Sequence, residues 1–369
     1  MEDSQFPSDA QPFRLFGVER SYFAGKVRPA FRAKRIYFEE VYPKRPDYMD
    51  LRRRTGNTLL PQVITPEDDT WQDSSEILDN IEARYPTPRL YPSTPVQWVV
   101  ANLLELIGDE FMGLAAMHYR WSAPESEQDA RAAFAAQSGE WEAPNKFADM
   151  ISARLPMMGI NESSVPLIEE QYAEMLAIMC RIFEDQSFLL GEQMSLGDCG
   201  LVGPMYAHLF LDLVPGQIMR NTAMPVAHWV ERMNHPNPST FEGFLPDDSL
   251  HPAMMDLLTL IGEDAVPMFL DALTGIGRWA DDRDRSEEYA PRFVGTYTTQ
   301  FRGVELNRGL SSITFWMIQR TLDAYRGLDD TGRQSVDRIM AGTGVDKLLA
   351  FRPRHQIERR NYRFVISDA

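Results

Sequence analysis

Apolar residues recur at two different periods along the first part of the chain. "FRLFGV" (13–18) alternates apolar with polar positions and predicts a short strand. A polar loop, "ERSYFAG", follows it. "KVRPAFRAKR" (26–35) then places Val27, Ala30, Phe31 and Lys34 at helical spacing, with Pro29 suited to a helix's first turn. "IYFEEVYP" (36–43) is rich in β-branched and aromatic residues and reads as a second strand. A helix between two strands predicts a parallel βαβ unit. Residues 43–58 read as loop and irregular helix. "LLPQVIT" (59–65) is a third strand that carries a proline near its start, "PEDDT" supplies a turn, and "WQ" pairs back as a fourth, antiparallel strand. "DSSEILDNIEARYP" (73–86) is a helix with Asp73, Ser74 and Ser75 at its start, an apolar stripe of Ile77, Leu78 and Ile81, and Pro86 at its end.

The proline-rich segment "TPRLYPSTP" (87–95) reads as a linker, and the pattern changes after it. Residues 96–120, 125–137, 164–185 and 195–212 carry helical spacing without strands. Beyond them, helices are predicted over 252–261, 264–275, 310–327 and 330–341, with strand-like runs "VGTYTTQF" and "NYRFVIS". There is no internal repeat or low-complexity tract. The division is therefore 11–86, 96–245 and a third segment, 246–369: a mixed α/β unit, an all-helical unit and a mostly helical extension. Ser195, Leu196, Gly197 and Asp198 form an S-x-x-D capping box with a structural role.

Composition narrows the function classes. Apolar residues make up 44% of the 369, enough for sizeable cores, and no run is long enough for a membrane span. The start "MEDSQFPSDAQPF" is acidic and polar, unlike a secretory leader, so a cytoplasmic location is expected. A net charge of −17 argues against nucleic-acid and anionic-membrane partners. The charge is uneven: Arg20, Lys26, Arg28, Arg32, Lys34 and Arg35 lie close together, and Arg52, Arg53 and Arg54 follow. Such a concentration either focuses a small anion or is a solvated face. Cys180 and Cys199, the two cysteines, read as buried apolar residues, and the six histidines show no metal-ligand spacing, so no metal is expected.

Four stretches, in order, resemble the glutathione transferase superfamily: "ERSYFAGKVR", "LLPQVI", "DSSEI" and "FLLGEQMSLGDCGLVGPMY". The resemblance implies a fold of class α/β + all-α, a thioredoxin-like N-terminal domain followed by an all-helical glutathione-transferase C-terminal domain, plus the extended mostly helical tail. It implies glutathione as cosubstrate and a homodimer. In such a fold Pro61 would be the cis-proline that turns the Leu60 backbone toward the cysteinyl part of glutathione, like an added strand. Its other reading is the start of an edge strand. Ser74, at a helix N-terminus, would hold the γ-glutamyl carboxylate and Asp73 the amino group. Either residue also serves as a plain N-cap.

The thiol needs activation, since a free thiol titrates near 8.5. Ser21 stands where serine-type members of the superfamily place the activating hydroxyl, Tyr22 beside it offers a phenol, and the loop has no cysteine. Both are also readable as ordinary loop residues. Lys26 or Arg28 would neutralise a ligand carboxylate or remain a surface charge. On "LLELIGDEFMGLAAMHYRW" (103–121), Phe111, Met112, Met117, His118, Tyr119 and Trp121 form either the wall for the second substrate or a core stripe. The expected function is a glutathione-dependent transferase whose thiolate attacks an electrophilic, aromatic or lipophilic small molecule, aryl-ether cleavage included. The alternative is a non-catalytic binding or interaction protein on the same fold. A thioredoxin-like oxidoreductase is disfavoured by the missing cysteine. The tail is expected to cover the cleft, extend a dimer or form a separate module.

Overall fold

The computed structural model describes residues 11–138, 142–283 and 288–368. The acidic start, residues 1–10, on which the leader argument rested, lies outside the described residues. The first unit is β1 (Phe13–Phe16), α1 (Tyr22–Ala33), β2 (Phe38–Val41), α2 (Arg45–Thr55), β3 (Gln62–Ile64), β4 (Thr70–Gln72) and α3 (Ser74–Arg84). Its sheet runs β2-β1-β3-β4, with β1 parallel to β2 and antiparallel to β3. The register pairs Leu15 with Glu40 on one side and with Val63 on the other. Val27, Ala30 and Phe31 of α1 and Ile77, Leu78 and Ile81 of α3 bury their stripes with Leu15 and Val63.

Two expectations are corrected here. Pro29 lies in the interior of α1, because the helix starts earlier than its apolar stripe, at the Ser21 N-cap, whose Oγ accepts from the Ala24 N–H at 3.3 Å. The stretch expected to be irregular is a regular helix, α2. There the Asp47 carboxylate accepts from the Lys44 N–H at 2.8 Å, and Gly56 closes the helix at φ 78°.

The helical part holds α4 (Pro95–Leu106), a π-helical turn (Ile107–Phe111), α5 (Gly113–Trp121), α6 (Pro124–Ser138), α7 (Glu142–Ser152), α8 (Val165–Asp185), α9 (Leu196–Ala207), α10 (Leu213–Thr222) and α11 (Met224–Asn234). The Ser195–Asp198 capping box is formed, and buried Asp198 also accepts from the Leu189 N–H at 2.9 Å and Trp229 Nε1 at 3.0 Å. A carboxylate with that many donors organises the centre of the helical unit. The π turn crosses α9 at van der Waals contact: a Cβ on Gly108 would overlap the backbone of Gly200, and one on Gly200 would stand 2.5 Å from Glu105 Cα.

The tail comprises α12 (Pro252–Asp264), α13 (Val266–Asp282), the hairpin β5 (Phe293–Phe301) and β6 (Val304–Ser311), α14 (Ser312–Arg326), α15 (Asp330–Met340), α16 (Val345–Ala350) and the hairpin β7 (His355–Arg360) and β8 (Arg363–Asp368). The pattern missed β6 and β7, whose alternation is largely polar. The tail is built into the rest of the protein. Arg320 pairs with Asp79 of α3 at 2.7 Å, and Arg359 pairs with Glu76 at 2.7 Å. Tyr362 donates to the Thr70 carbonyl of β4 at 2.9 Å, and Phe301 meets Phe111 edge-to-face. One buried apolar cluster runs from Phe13 to Ile366. We propose 11–86, 96–245 and 246–369 as three units sharing that core. No helix among the described residues is long and apolar enough to cross a membrane.

Candidate functional site

A cleft of about 1430 Å³ opens between the first unit, the helical unit and the tail. Ser21, Leu60, Pro61, Asp73 and Ser74 all line it. The Leu60–Pro61 peptide is cis, and neither the N–H nor the C=O of Leu60 enters a backbone hydrogen bond among the described residues. Both are therefore available to an extended ligand. Asp73 caps α3 by accepting from the Ser75 N–H at 2.9 Å. It does so at φ 84°, a region that a non-glycine residue occupies at an expense of about 1–3 kcal/mol. Asp73 and the buried Ser74 both line the cleft from the first turn of α3.

Ser21 and Tyr22 have separated roles. The Ser21 hydroxyl accepts from the Ala24 N–H, and its proton has no acceptor among the described residues. Tyr22 borders the cleft, but its phenol donates to the Gly108 carbonyl, and burial, with Asp109 and Glu110, pushes its pKa well above the ordinary value. A phenol whose proton is committed to a carbonyl does not serve a thiol, so Tyr22 is corrected to a packing residue. The loop that carries Ser21 is clamped: Arg120 pairs with Asp212 at 2.8 Å and donates to the Arg20 carbonyl at 3.2 Å, while Arg20 pairs with Asp129 at 2.7 Å.

Lys26 and Arg28 are neither surface charges nor ligand partners. Arg28 is buried against Glu40 at 2.8 Å. Lys26 is fully buried, with Ser75 Oγ at 2.8 Å, Glu105 at 2.8 Å and Asp109 at 2.6 Å around its Nζ. Those two carboxylates raise its pKa against the opposing effect of burial. Arg320, at 3.5 Å from Glu105, extends the network to the tail. Cys199 is buried and Cys180 half-buried, both without a partner cysteine, and no cluster of metal ligands occurs among the described residues.

The second-substrate wall also needs correction. Phe111, Met112, His118 and Tyr119 are buried and do not line the cleft. Phe111 faces Phe301, His118 Nε2 meets Glu169 at 3.0 Å, and the Tyr119 ring packs on Tyr172. The cause is the π turn, in which one extra residue rotates the following helix face by about 100°. Met117 and Trp121 do line the cleft, and they are joined by Phe134, Phe147, Met150 and Ile151 from α6 and α7 and by Phe293 and Ile313 from the tail. The sequence reading missed Asp109, Glu110, Arg120, His208 and these tail residues. His208 is a buried imidazole against the Tyr22 ring, held neutral by burial and by Arg120 and Arg20.

Asp109 is pushed up to about 7 by burial, against the pull of Lys26 and with the added push of Glu105. In an unfolded chain its carboxyl titrates near ~3.9, so between about pH 4 and pH 7 the folded state holds a proton that the unfolded state has lost. Stability from this group is full below that window and is lost as pH rises through it. Asp109→Asn, neutral at every pH, removes the slope. Its thermal midpoint relative to wild type should be higher near pH ~8 than near pH ~5. A midpoint difference that stays constant over that range would refute the assignment.

Residues 15–89 match the family model described as the glutathione S-transferase N-terminal domain, and residues 149–237 match the one described as the C-terminal domain. No curated protein matches the chain. Among solved structures, the Tau class glutathione S-transferase of mango, Mangifera indica, is 16% identical over 62% of this chain and 95% of its own, with a TM-score of 0.39. A glutathione S-transferase of Methylobacterium radiotolerans, solved in complex with glutathione sulfonate, is 20% identical over 65% of this chain and 99% of its own, at 0.39. The beta-etherase LigF of a Sphingobium species is 13% identical over 62% of this chain and 97% of its own, at 0.44.

Proposed function

As residues 15–89 and 149–237 match the glutathione S-transferase N- and C-terminal domain models, we propose that the chain is a glutathione-dependent transferase acting on an electrophilic small molecule with an aromatic or lipophilic body, aryl ethers included. One observation carries the reading: the Ser21 hydroxyl, the free Leu60 backbone and the Asp73–Ser74 start of α3 open into a single cleft that also has an apolar side. Glutathione lies along the first unit, with its cysteinyl backbone paired to Leu60 beside Pro61. Its γ-glutamyl carboxylate meets Ser74 and the first N–H groups of α3, where the helix dipole favours negative charge. Its amino group meets the Asp73 carboxylate.

The Ser21 hydroxyl donates to the sulfur, and the N-terminus of α1 adds positive potential, so the thiolate is favoured over the thiol. The thiolate attacks the electrophilic carbon, a carbon–sulfur bond forms, and the leaving group departs with the bonding pair. Met117, Trp121 and Phe147 exclude water from the electrophile's body. By the same family reading, the protein works as a cytoplasmic homodimer.

Calorimetric titration with reduced glutathione tests the binding half. Saturable binding is expected, and Ser74→Ala should weaken it by about tenfold or more, the loss of one hydrogen bond to a charged group. No binding at millimolar glutathione would sink the reading. Binding without turnover of any electrophile would instead favour the non-catalytic alternative.

A further inference from the structure

In a chain with net charge −17, the cleft contains cations that no carboxylate pairs with among the described residues. Arg20 and Arg120 are spent on Asp212, and Arg302, Arg320 and Arg359 of the tail each have a carboxylate partner. Arg154, at the end of the segment following α7, and Arg292, immediately before β5, differ. Both line the cleft and both are exposed. Among the described residues, neither side chain has an ion-pair or hydrogen-bond partner.

The surrounding protein lowers the Arg292 pKa, against the pull of Glu110 and Asp73 and with a smaller push from Arg154. The acids near Arg292 are already engaged. Glu110 accepts from Thr314 Oγ1, and Asp73 accepts from the Ser75 N–H. The Arg292 guanidinium lies 5.8 Å from the centre of the Phe293 ring, and Ile313 of the tail and Met150 and Ile151 of α7 line the same cleft. A cleft whose apolar lining is joined by two guanidinium groups without a carboxylate partner among the described residues suits an apolar body that ends in an anion, because each guanidinium offers a planar fork of donors to a carboxylate. Glutathione's own carboxylates do not require them. The first unit brings Lys44, Arg45 and Arg52 to the cleft, all exposed, besides the start of α3.

We propose that Arg154 and Arg292 are the anion-recognition end of the second-substrate subsite, and that they select an electrophile with an aromatic or alkyl body and a terminal carboxylate. This rests on the transferase reading above. It assigns the tail a role in specificity: β5 and the residue before it supply both a cation and part of the wall.

The test is calorimetry on the full chain with phenylbutyrate and its uncharged isostere phenylbutanamide, each with and without glutathione. The carboxylate is expected to bind about tenfold tighter than the amide, as one charge-assisted pair implies. Arg292→Gln and Arg154→Gln should each abolish most of that preference while leaving amide binding, glutathione affinity and the thermal midpoint unchanged. Glutathione should not displace the probe. Equal affinity for the two probes overturns the proposal. So does displacement by glutathione, or an Arg292→Gln variant that loses glutathione affinity, since the arginines would then belong to the glutathione site. Failure of the wild type to bind glutathione at all is a separate result, and it removes the transferase reading while the probe comparison still reports on the arginines.

Discussion

Lys26→Met should lower the thermal midpoint by about 5 °C, more than any other single change considered above. The ammonium is fully buried and is the shared counter-charge of Glu105 and Asp109. Methionine fills nearly the same volume, so packing changes little, but two carboxylates lose their nearest cation in a low-dielectric site. Removing one member of a buried pair is worth about 3–5 kcal/mol because the partner is left uncompensated. Arg320 lies 3.5 Å from Glu105 and offsets part of that loss, which keeps the effect within the range.

Two further results separate this account from simple repacking. Adding Asp109→Asn to Lys26→Met should recover part of the lost stability at alkaline pH, where the Asp109 carboxyl, no longer pulled down by Lys26, is forced to ionise without a partner. The deficit should also narrow as pH falls from the alkaline range to about 7, because losing Lys26, which pulls the Asp109 pKa down, leaves the variant's carboxyl protonated where the wild type's is still ionised. A double variant whose loss is the plain sum of the two single losses would show that the charges do not interact. Calorimetric unfolding of the three variants reads all of this directly.

The same cluster shows where sequence reasoning reaches and where it stops. The order of the first unit was legible because each signal is local: alternation in β1, a stripe in α3, turn residues between β3 and β4, and the Asp73–Ser75 start. The capping box at Ser195 was legible for the same reason, since both of its partners lie within one turn. The fate of Lys26 was not legible. A lysine in a helix's first turns reads as solvated unless carboxylates are waiting for it, and Glu105 and Asp109 come from elements far along the chain. Arg28 is the same case, with Glu40 supplied by the neighbouring strand.

The misplaced wall has a different cause. The spacing from Leu103 to Trp121 is helical, and a uniform helix would present Phe111, Met112, His118 and Tyr119 together. The π turn at Ile107–Phe111 breaks that uniformity and turns Asp109 and Glu110 into the cleft instead. No periodicity argument finds a single inserted residue. The tail contributes Arg292, Phe293 and Ile313 to the cleft through long-range packing, which its own amphipathic pattern does not encode.

Ser21→Ala should slow glutathione conjugation by about ten- to a hundredfold while leaving glutathione affinity close to wild type. The free thiol titrates near ~8.5, so at neutral pH only a few per cent is thiolate. Each unit by which a donor lowers that value is worth about 1.36 kcal/mol and multiplies the reactive fraction nearly tenfold. The Ser21 proton is the donor on hand, since the hydroxyl only accepts from Ala24 and has no other acceptor for its hydrogen among the described residues. Tyr22 does not replace it, because the phenol proton goes to Gly108.

The N-terminus of α1 still favours the thiolate in the variant, which sets the residual rate. Loss of the N-cap also lowers stability by about 1 kcal/mol, so rates need to be compared well below the unfolding transition. The pH profile of kcat/KM is the readout that a structural role would not move: its ascending limb, set by ionisation of the thiol, should shift up toward ~8.5 in Ser21→Ala and return in Ser21→Thr, which keeps a hydroxyl. Tyr22→Phe should leave that limb in place and weaken the fold instead. The reverse pattern, with the limb displaced by Tyr22→Phe and untouched by Ser21→Ala, would give the thiol to the phenol.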